Sequence, residues 1–399
     1  MRRIKKAIEK VVEVLLMLSG TATTVIIALI IIFLFKEGFG LFQNPIVEKG
    51  FTICLHNDNP INKLSSYEIK EIFDAEITNW KEVGGLDTEI KPFRFDELFT
   101  EFTEEEFGDN YELLPIKLEE VINNNKNIIA YIPEQYVPES NVVKPIEQDN
   151  IGLTEFFLQQ EWIPTSSPTP QFGVLPLFLG TLYVSIIAIL IALPLGLGVA
   201  IYLSELAGNK TRKFLKPVIE LLAGIPSVVY GFFGLVVLVP IVQDTFNLPV
   251  GETAFAGSLI LAIMALPTII TVAEDAIRNT PRHIREASLA LGATHWQTIY
   301  RVVLPYAKSG ISAAVVLGIG RAIGETMAVL MVTGNAAVMP YSLFEPIRTI
   351  PATIAAELGE APVGGAHYQA LFLLGSLLFL ITLFISIAAE LISKRHKIN

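Results

Sequence analysis

Six stretches of this chain are apolar over lengths that a bilayer, rather than a protein core, accommodates best, and this limits the fold more than any other feature. They lie at about 11–35, 172–203, 217–242, 254–275, 306–334 and 368–392, each longer than the roughly 18 residues that mark a spanning helix. Only 17% of the 399 residues are charged, against 52% hydrophobic. The pattern predicts a mainly α, polytopic membrane protein: a helical bundle of six spans.

The net charge of −11 is unevenly distributed. Residues 36–171 hold 26 acidic and 10 basic residues, and the remainder holds 14 acidic and 19 basic. A water-exposed acidic block is therefore inserted into a mildly basic membrane part. The divisions expected are 1–45, a cytoplasmic start with the first span; 46–165, a small exported α+β domain; and 166–399, a core with five spans. The basic start and the length of the first run favour an uncleaved anchor over a signal peptide. Lysines and arginines cluster at both ends of the chain, at 210–216 and at 278–301, while 243–253 has none. By the positive-inside rule both termini are cytoplasmic and most of 36–171 is extracytoplasmic. A multi-pass membrane location is therefore expected.

A single cysteine, Cys54, excludes an internal disulfide framework, and the five histidines show no metal-ligand spacing. No metal, cofactor or nucleic-acid partner is expected. The sequence has no G-x-x-x-x-G-K-[ST] phosphate loop, so nucleotide hydrolysis by that mechanism is not expected of this chain.

Within the fifth apolar run, "GIGRAIGETMAVLMVTGN" carries Arg321 and Glu325. An arginine near the bilayer centre costs about 2.5–3.5 kcal/mol on insertion scales, so it must be satisfied or used. If the run is one helix, Glu325 lies one turn from Arg321 on the same face. A guanidinium matches an oxyanion with a planar fork of donors and stays charged. Two readings stand: an anion site with Glu325 opposing the arginine, or a permanent ion pair that locks packing.

The loop "REASLALGATHWQTIYRVVLP" (285–305) predicts two short helices that turn at Gly292, with Pro305 opening the next span. Glu286, Ala287, Gly292, Leu304 and Pro305 fall at the E-A-A-x3-G-x9-I-x-L-P spacing, and the loop resembles the EAA coupling loop of ABC-transporter permeases. Ser288 and Val302 depart mildly from that pattern. The resemblance implies a surface that docks into a groove of a partner ATPase.

Together with "ELLAGIPSVVYGFFGL" and "GRAIGETMAV", the chain is similar to the PstC-type permeases of bacterial high-affinity phosphate importers. That resemblance implies a type I importer permease that works with a second permease subunit, an ATPase dimer and a periplasmic phosphate-binding protein. It assigns Arg321, Glu325 and the adjoining Thr326 to the passage of inorganic phosphate. Import of another oxyanion, such as sulfate or molybdate, and a non-transporting membrane sensor are the alternatives.

In the inserted block, "INKLSSYEIKEIFDAEITNWKEVGG" and "NNNKNIIAYIPEQYV" resemble segments of periplasmic phosphate-binding proteins. The residues predict a capped helix in "SSYEIKEIFD" and strands in "FTICL" and "IIAYI". Arg94 matches the arginine of that family's phosphate loop, yet Asp96, Glu97 and Glu101 stand where the anion would be held. A spacer and a docking or regulatory domain are both compatible with this block.

Overall fold

The computed structural model describes residues 2–108 and 110–394; the C-terminal Arg395, His396 and Lys397 lie outside the described residues. The chain divides into two compact units, one made of the chain up to Gly38 together with that from Leu175 onward, the other of Phe39–Val174.

Among the described residues six helices are long and apolar enough to cross a membrane: Lys10–Gln43, Leu175–Leu206, Ser227–Phe246, Ala254–Arg278, His295–Ile323 and Ala366–Ala388. They are called spans one to six. Span four is the axis of the bundle, packed against spans two and five. Its inward residues are small or branched, among them Ala262, Ala265, Ile269 and Ala273. Close approach of backbones is the usual way helices associate where apolar burial gives no net drive.

Two boundaries differ from the sequence expectation. The third run was expected at 217–242, but Asn209–Ala223 is a separate amphipathic helix with no buried residue. The chain breaks at Gly224–Pro226 before span three starts at Ser227. A residue preceding proline is pushed out of the helical region, and glycine resists helix, so the apolar run divides there. The fifth run was expected at 306–334, but its helix begins at His295 and stops at Ile323. Residues 324–326 are not helical, and a short helix, Met327–Val332, follows. Gly334 (φ +74°) and Asn335 (φ +51°) then turn the chain back.

Three π-helical turns interrupt the bundle, at Tyr202–Leu206, Gly234–Leu238 and Ile299–Val303. Pro240 and Pro305 follow the second and third. Proline lacks an N–H and crowds the carbonyl four residues back, and a widened turn relieves both problems without ending the helix.

The second unit is α+β. Its sheet has the order β2 (Lys91–Arg94), β3 (Ile128–Pro133), β1 (Phe51–His56), β4 (Val143–Pro145). β1 runs antiparallel to β3 and β4, with Cys54 opposite Ala130, and β2 is parallel to β3. Cys54, Phe93, Ala130 and Ile132 pack with Leu118 and Ile122 of the helix Leu114–Asn124. The expected helix is Ser66–Phe73, with Ser65 accepting from the Glu68 N–H and the Glu68 carboxylate accepting from Ser65 N at 2.8 Å. This reciprocal cap satisfies two of the donors a helix start leaves unpaired.

Candidate functional site

Arg321 stands near the C-terminal end of span five and is half-buried. Its Nη1 donates to Thr268 Oγ1 on span four at 3.3 Å, and this is its only side-chain hydrogen bond among the described residues. Because the helix ends at Ile323, Glu325 does not share a helical face with Arg321, which corrects the one-turn geometry drawn from the sequence. Glu325 Oε1 instead accepts from Ala328 N at 3.4 Å, at the start of the short helix. No Arg321 to Glu325 ion pair within 4.0 Å exists among the described residues. The permanent-pair reading therefore loses its contact. Gly320 and Gly324 flank the arginine, and their cost to helix propagation helps explain why the helix stops here.

Thr326 donates to Gly324 O at 3.3 Å and lines a largely apolar pocket of about 530 Å³ with Pro351, Ile354, Leu358 and Leu378. Arg321 does not line that pocket. The break at 324–326 thus separates the arginine from the threonine that the sequence grouped with it.

The segment 282–305 is built as a helix, a turn and a second helix. Arg282–Ala290 ends at Gly292, whose φ of +84° is open to glycine and strained for other residues. Thr294 then caps the next helix by a reciprocal bond with Gln297. That helix does not stop before the membrane: it continues through the π turn into span five, so Pro305 lies inside a continuous helix rather than at its start. Leu304 is half-buried against the cluster that holds Ala200, Ala273 and Ile277. Glu286, Ala287 and Leu289 are exposed, as are Leu291 (90%) and Trp296 (58%). Such large apolar exposure beside a fixed turn suits a surface that another protein covers. Ser288, the departure from the motif, bonds Thr298 Oγ1 through its hydroxyl at 3.0 Å and ties the two helices together.

Residues 192–398 match the family described as binding-protein-dependent transport system inner membrane component. The chain belongs to that family. Among its relatives in this transport-permease family, the probable ABC transporter permease protein YqgH of Bacillus subtilis is 43% identical over 250 residues, covering 63% of this chain and 81% of that protein. The phosphate transport system permease protein PstC of Mesorhizobium japonicum is 43% identical over 249 residues, covering 58% and 75%. The MetNI methionine ABC transporter, solved in inward-facing conformations, matches with a TM-score of 0.44 at 20% identity, over 54% of this chain and 93% of that one. Residues 32–96 match a second family, the PBP superfamily domain.

In this transport-permease chain several charged contacts had no sequence signal beyond the count of basic residues. Glu274 of span four receives bonds from Arg212 and, at 2.8 Å, from Lys216, which also reaches Asp275 at 2.9 Å. These tie the amphipathic helix Asn209–Ala223 to span four. Arg285 pairs with Glu205 at 2.7 Å. Thr268, the partner of Arg321, was also missed, because a lone threonine in an apolar run has no pattern that marks it.

In the inserted unit, Arg94 is held by groups of the protein itself. Nη1 and Nη2 both donate to Ser167 O at 3.2 Å, and the guanidinium lies 5.1 Å from the centre of the Phe73 ring. The Glu97 carboxylate accepts from Arg94 N at 3.0 Å, so a side chain of the protein holds the backbone donor there. Tyr131 stacks on Phe51 and donates to Glu48 at 2.8 Å. Burial raises its hydroxyl pKa, and the Glu48 carboxylate adds to the shift, keeping the proton in place.

Proposed function

We propose that this chain is a permease subunit of an ATP-driven phosphate importer. It works with a second permease subunit, an ATPase dimer docked on the 282–305 surface and an extracytoplasmic phosphate-binding protein, with both termini in the cytoplasm. The observation that carries the anion reading is the state of Arg321, a guanidinium in a membrane span with one side-chain bond, to a hydroxyl, and no carboxylate partner among the described residues. Of its five N–H donors the rest of the fork is open to an oxyanion. The similarity to PstC-named relatives supports phosphate as that oxyanion.

In this mechanism phosphate meets Arg321 as a transient stop. A single fixed charge binds it weakly enough to release, and Glu325, in the break four residues on, supplies an opposing charge that favours departure. Thr326 contributes a hydroxyl beyond the break. Closure of the ATPase pushes on the surface formed by Glu286, Ala287, Leu289 and Leu291, and the turn at Gly292 holds that surface in shape. Leu304 and Pro305 carry the second helix into span five.

The test is uptake of labelled phosphate by the reconstituted importer, with sulfate and molybdate as competitors. Competition by unlabelled phosphate alone is expected; equal competition by sulfate would replace the substrate. In parallel, Gly292→Pro and Glu286→Lys are expected to abolish uptake while the chain stays in the membrane. Normal uptake with normal ATPase co-purification in both variants would refute the docking surface.

A further inference from the structure

The bonds of Arg285 lead out of the coupling segment in two directions. Nη1 donates to Thr280 O at 2.5 Å, and Nη2 donates to Ile277 O at 2.9 Å and to Glu205 Oε1 at 2.7 Å. Ile277 belongs to the last turn of span four, where carbonyls run out of intrahelical donors and a cation is favoured. Glu205 belongs to the π turn that ends span two, and its side chain is only 6% exposed. One side chain therefore fastens the helix Arg282–Ala290 to two spans.

We propose that Arg285 is the positioning residue that passes movement of the coupling helix to spans two and four, with Glu205 as its counter-charge. The proposal rests on the reading of 282–305 as the ATPase docking surface. Between span four and the coupling helix lie only Asn279, Thr280 and Pro281, and a short non-helical link by itself bends under load. A planar guanidinium bonded to one acceptor on each of two spans and to a third in the link itself resists that bending, because its donors leave in fixed directions. Helix periodicity places Ile284, Arg285 and Ser288 inward and Glu286, Ala287 and Leu289 outward. A push on the outer face is thus met by Arg285 on one side and by the Ser288 bond to Thr298, hence to span five, on the other. Lysine, with three donors at one point, cannot hold the same three acceptors in this arrangement.

The experiment uses the complete importer in proteoliposomes and reads phosphate imported per ATP hydrolysed, with ATPase co-purification measured on the same preparation. Arg285→Met is expected to lower that ratio at least about tenfold while the ATPase remains bound and active, and Arg285→Lys to fall between. Because Arg285→Met leaves a buried carboxylate alone, the double variant Arg285→Met, Glu205→Gln is included; it removes both charges and is expected to stay uncoupled at normal protein level. A double variant with the wild-type ratio would reduce Arg285 to a neutraliser of Glu205 and overturn the proposal. So would Arg285→Met with an unchanged ratio, or with its ATPase lost. Absence of the ATPase from the wild-type complex would instead overturn the docking reading, and this one with it.

Discussion

Arg321 and Arg94 are the two arginines that resemblance to phosphate-handling proteins singles out, and the structure treats them differently. Arg94 donates twice to one carbonyl, covers an aromatic face and has its own backbone N–H held by a carboxylate. Arg321 has one hydroxyl. An anion site is defined by donors that the protein leaves open, so matching residue types in a motif do not suffice. Among the acidic residues after Arg94, Glu97 itself takes up the Arg94 backbone N–H. In the membrane unit the opposite holds, because the helix break at 324–326 leaves the Glu325 carboxylate bonded to the backbone of Ala328 and not paired with Arg321.

The largest effect that tests this contrast is expected at Arg321. Arg321→Gln should reduce phosphate uptake at least about 100-fold at near-normal protein level, and Arg321→Lys should retain part of it, because a point charge remains without the planar fork. A double variant Arg321→Gln, Glu325→Gln that regains uptake would return the pair to a packing role. Glu325→Gln alone comes next, with turnover lowered about tenfold, since it removes the charge that opposes a bound anion but leaves the donors. Steady-state uptake across phosphate concentrations measures it, and unchanged turnover would remove Glu325 from the pathway.

Arg94→Met should leave phosphate binding and the uptake mechanism alone and act on stability. Losing charge-assisted bonds and the aromatic contact costs about 2 kcal/mol, enough to raise local opening of the inserted unit roughly 30-fold. Cys54 reports that opening. Burial pushes its thiol up to about 12 from an ordinary 9.0, so the folded thiol keeps its proton where the unfolded one loses it. Stability of the unit therefore falls as pH rises between those two values. Near pH 8.5 a thiol reagent should label the native full-length chain at least about 100-fold more slowly than the denatured chain, and Arg94→Met should narrow that gap. Equal labelling of native and denatured protein would remove Cys54 from the core.

The smallest effect is expected for Thr268→Val, which deletes the one bond to Arg321 without touching its charge. Uptake should change by no more than about threefold, consistent with a hydrogen bond worth about 1 kcal/mol net. A loss as large as that of Arg321→Gln would mean that the hydroxyl aims the guanidinium.

Much of this architecture was legible from local signals. Apolar run length located six spans, since a bilayer sets the length of a helix independently of its neighbours. The Ser65 to Glu68 cap, the strands around Cys54 and Ala130 and the turn at Gly292 follow from short-range chemistry. The Gly292 and Pro305 positions in the spacing from Glu286 to Pro305 marked a segment that folds as a helix, a turn and a second helix running into span five. Local rules also mark where runs divide, yet hydropathy averaged over those divisions: Gly224 and Pro226 split one apparent span, and Gly320 and Gly324 accompany the end of another.

What the sequence alone could not decide is which charged and polar groups meet. Thr268 and Arg321 are 53 residues apart, Glu205 and Arg285 80, and Arg94 and Ser167 73. Each of these contacts exists only because packing brings two elements to one place, and nothing within a helical turn or a strand pair encodes it. The sequence by itself determined a six-span permease with an acidic insertion. The tertiary structure decided that one arginine is open, one is occupied and a third braces two spans, because the partners that set a guanidinium's availability come from distant segments.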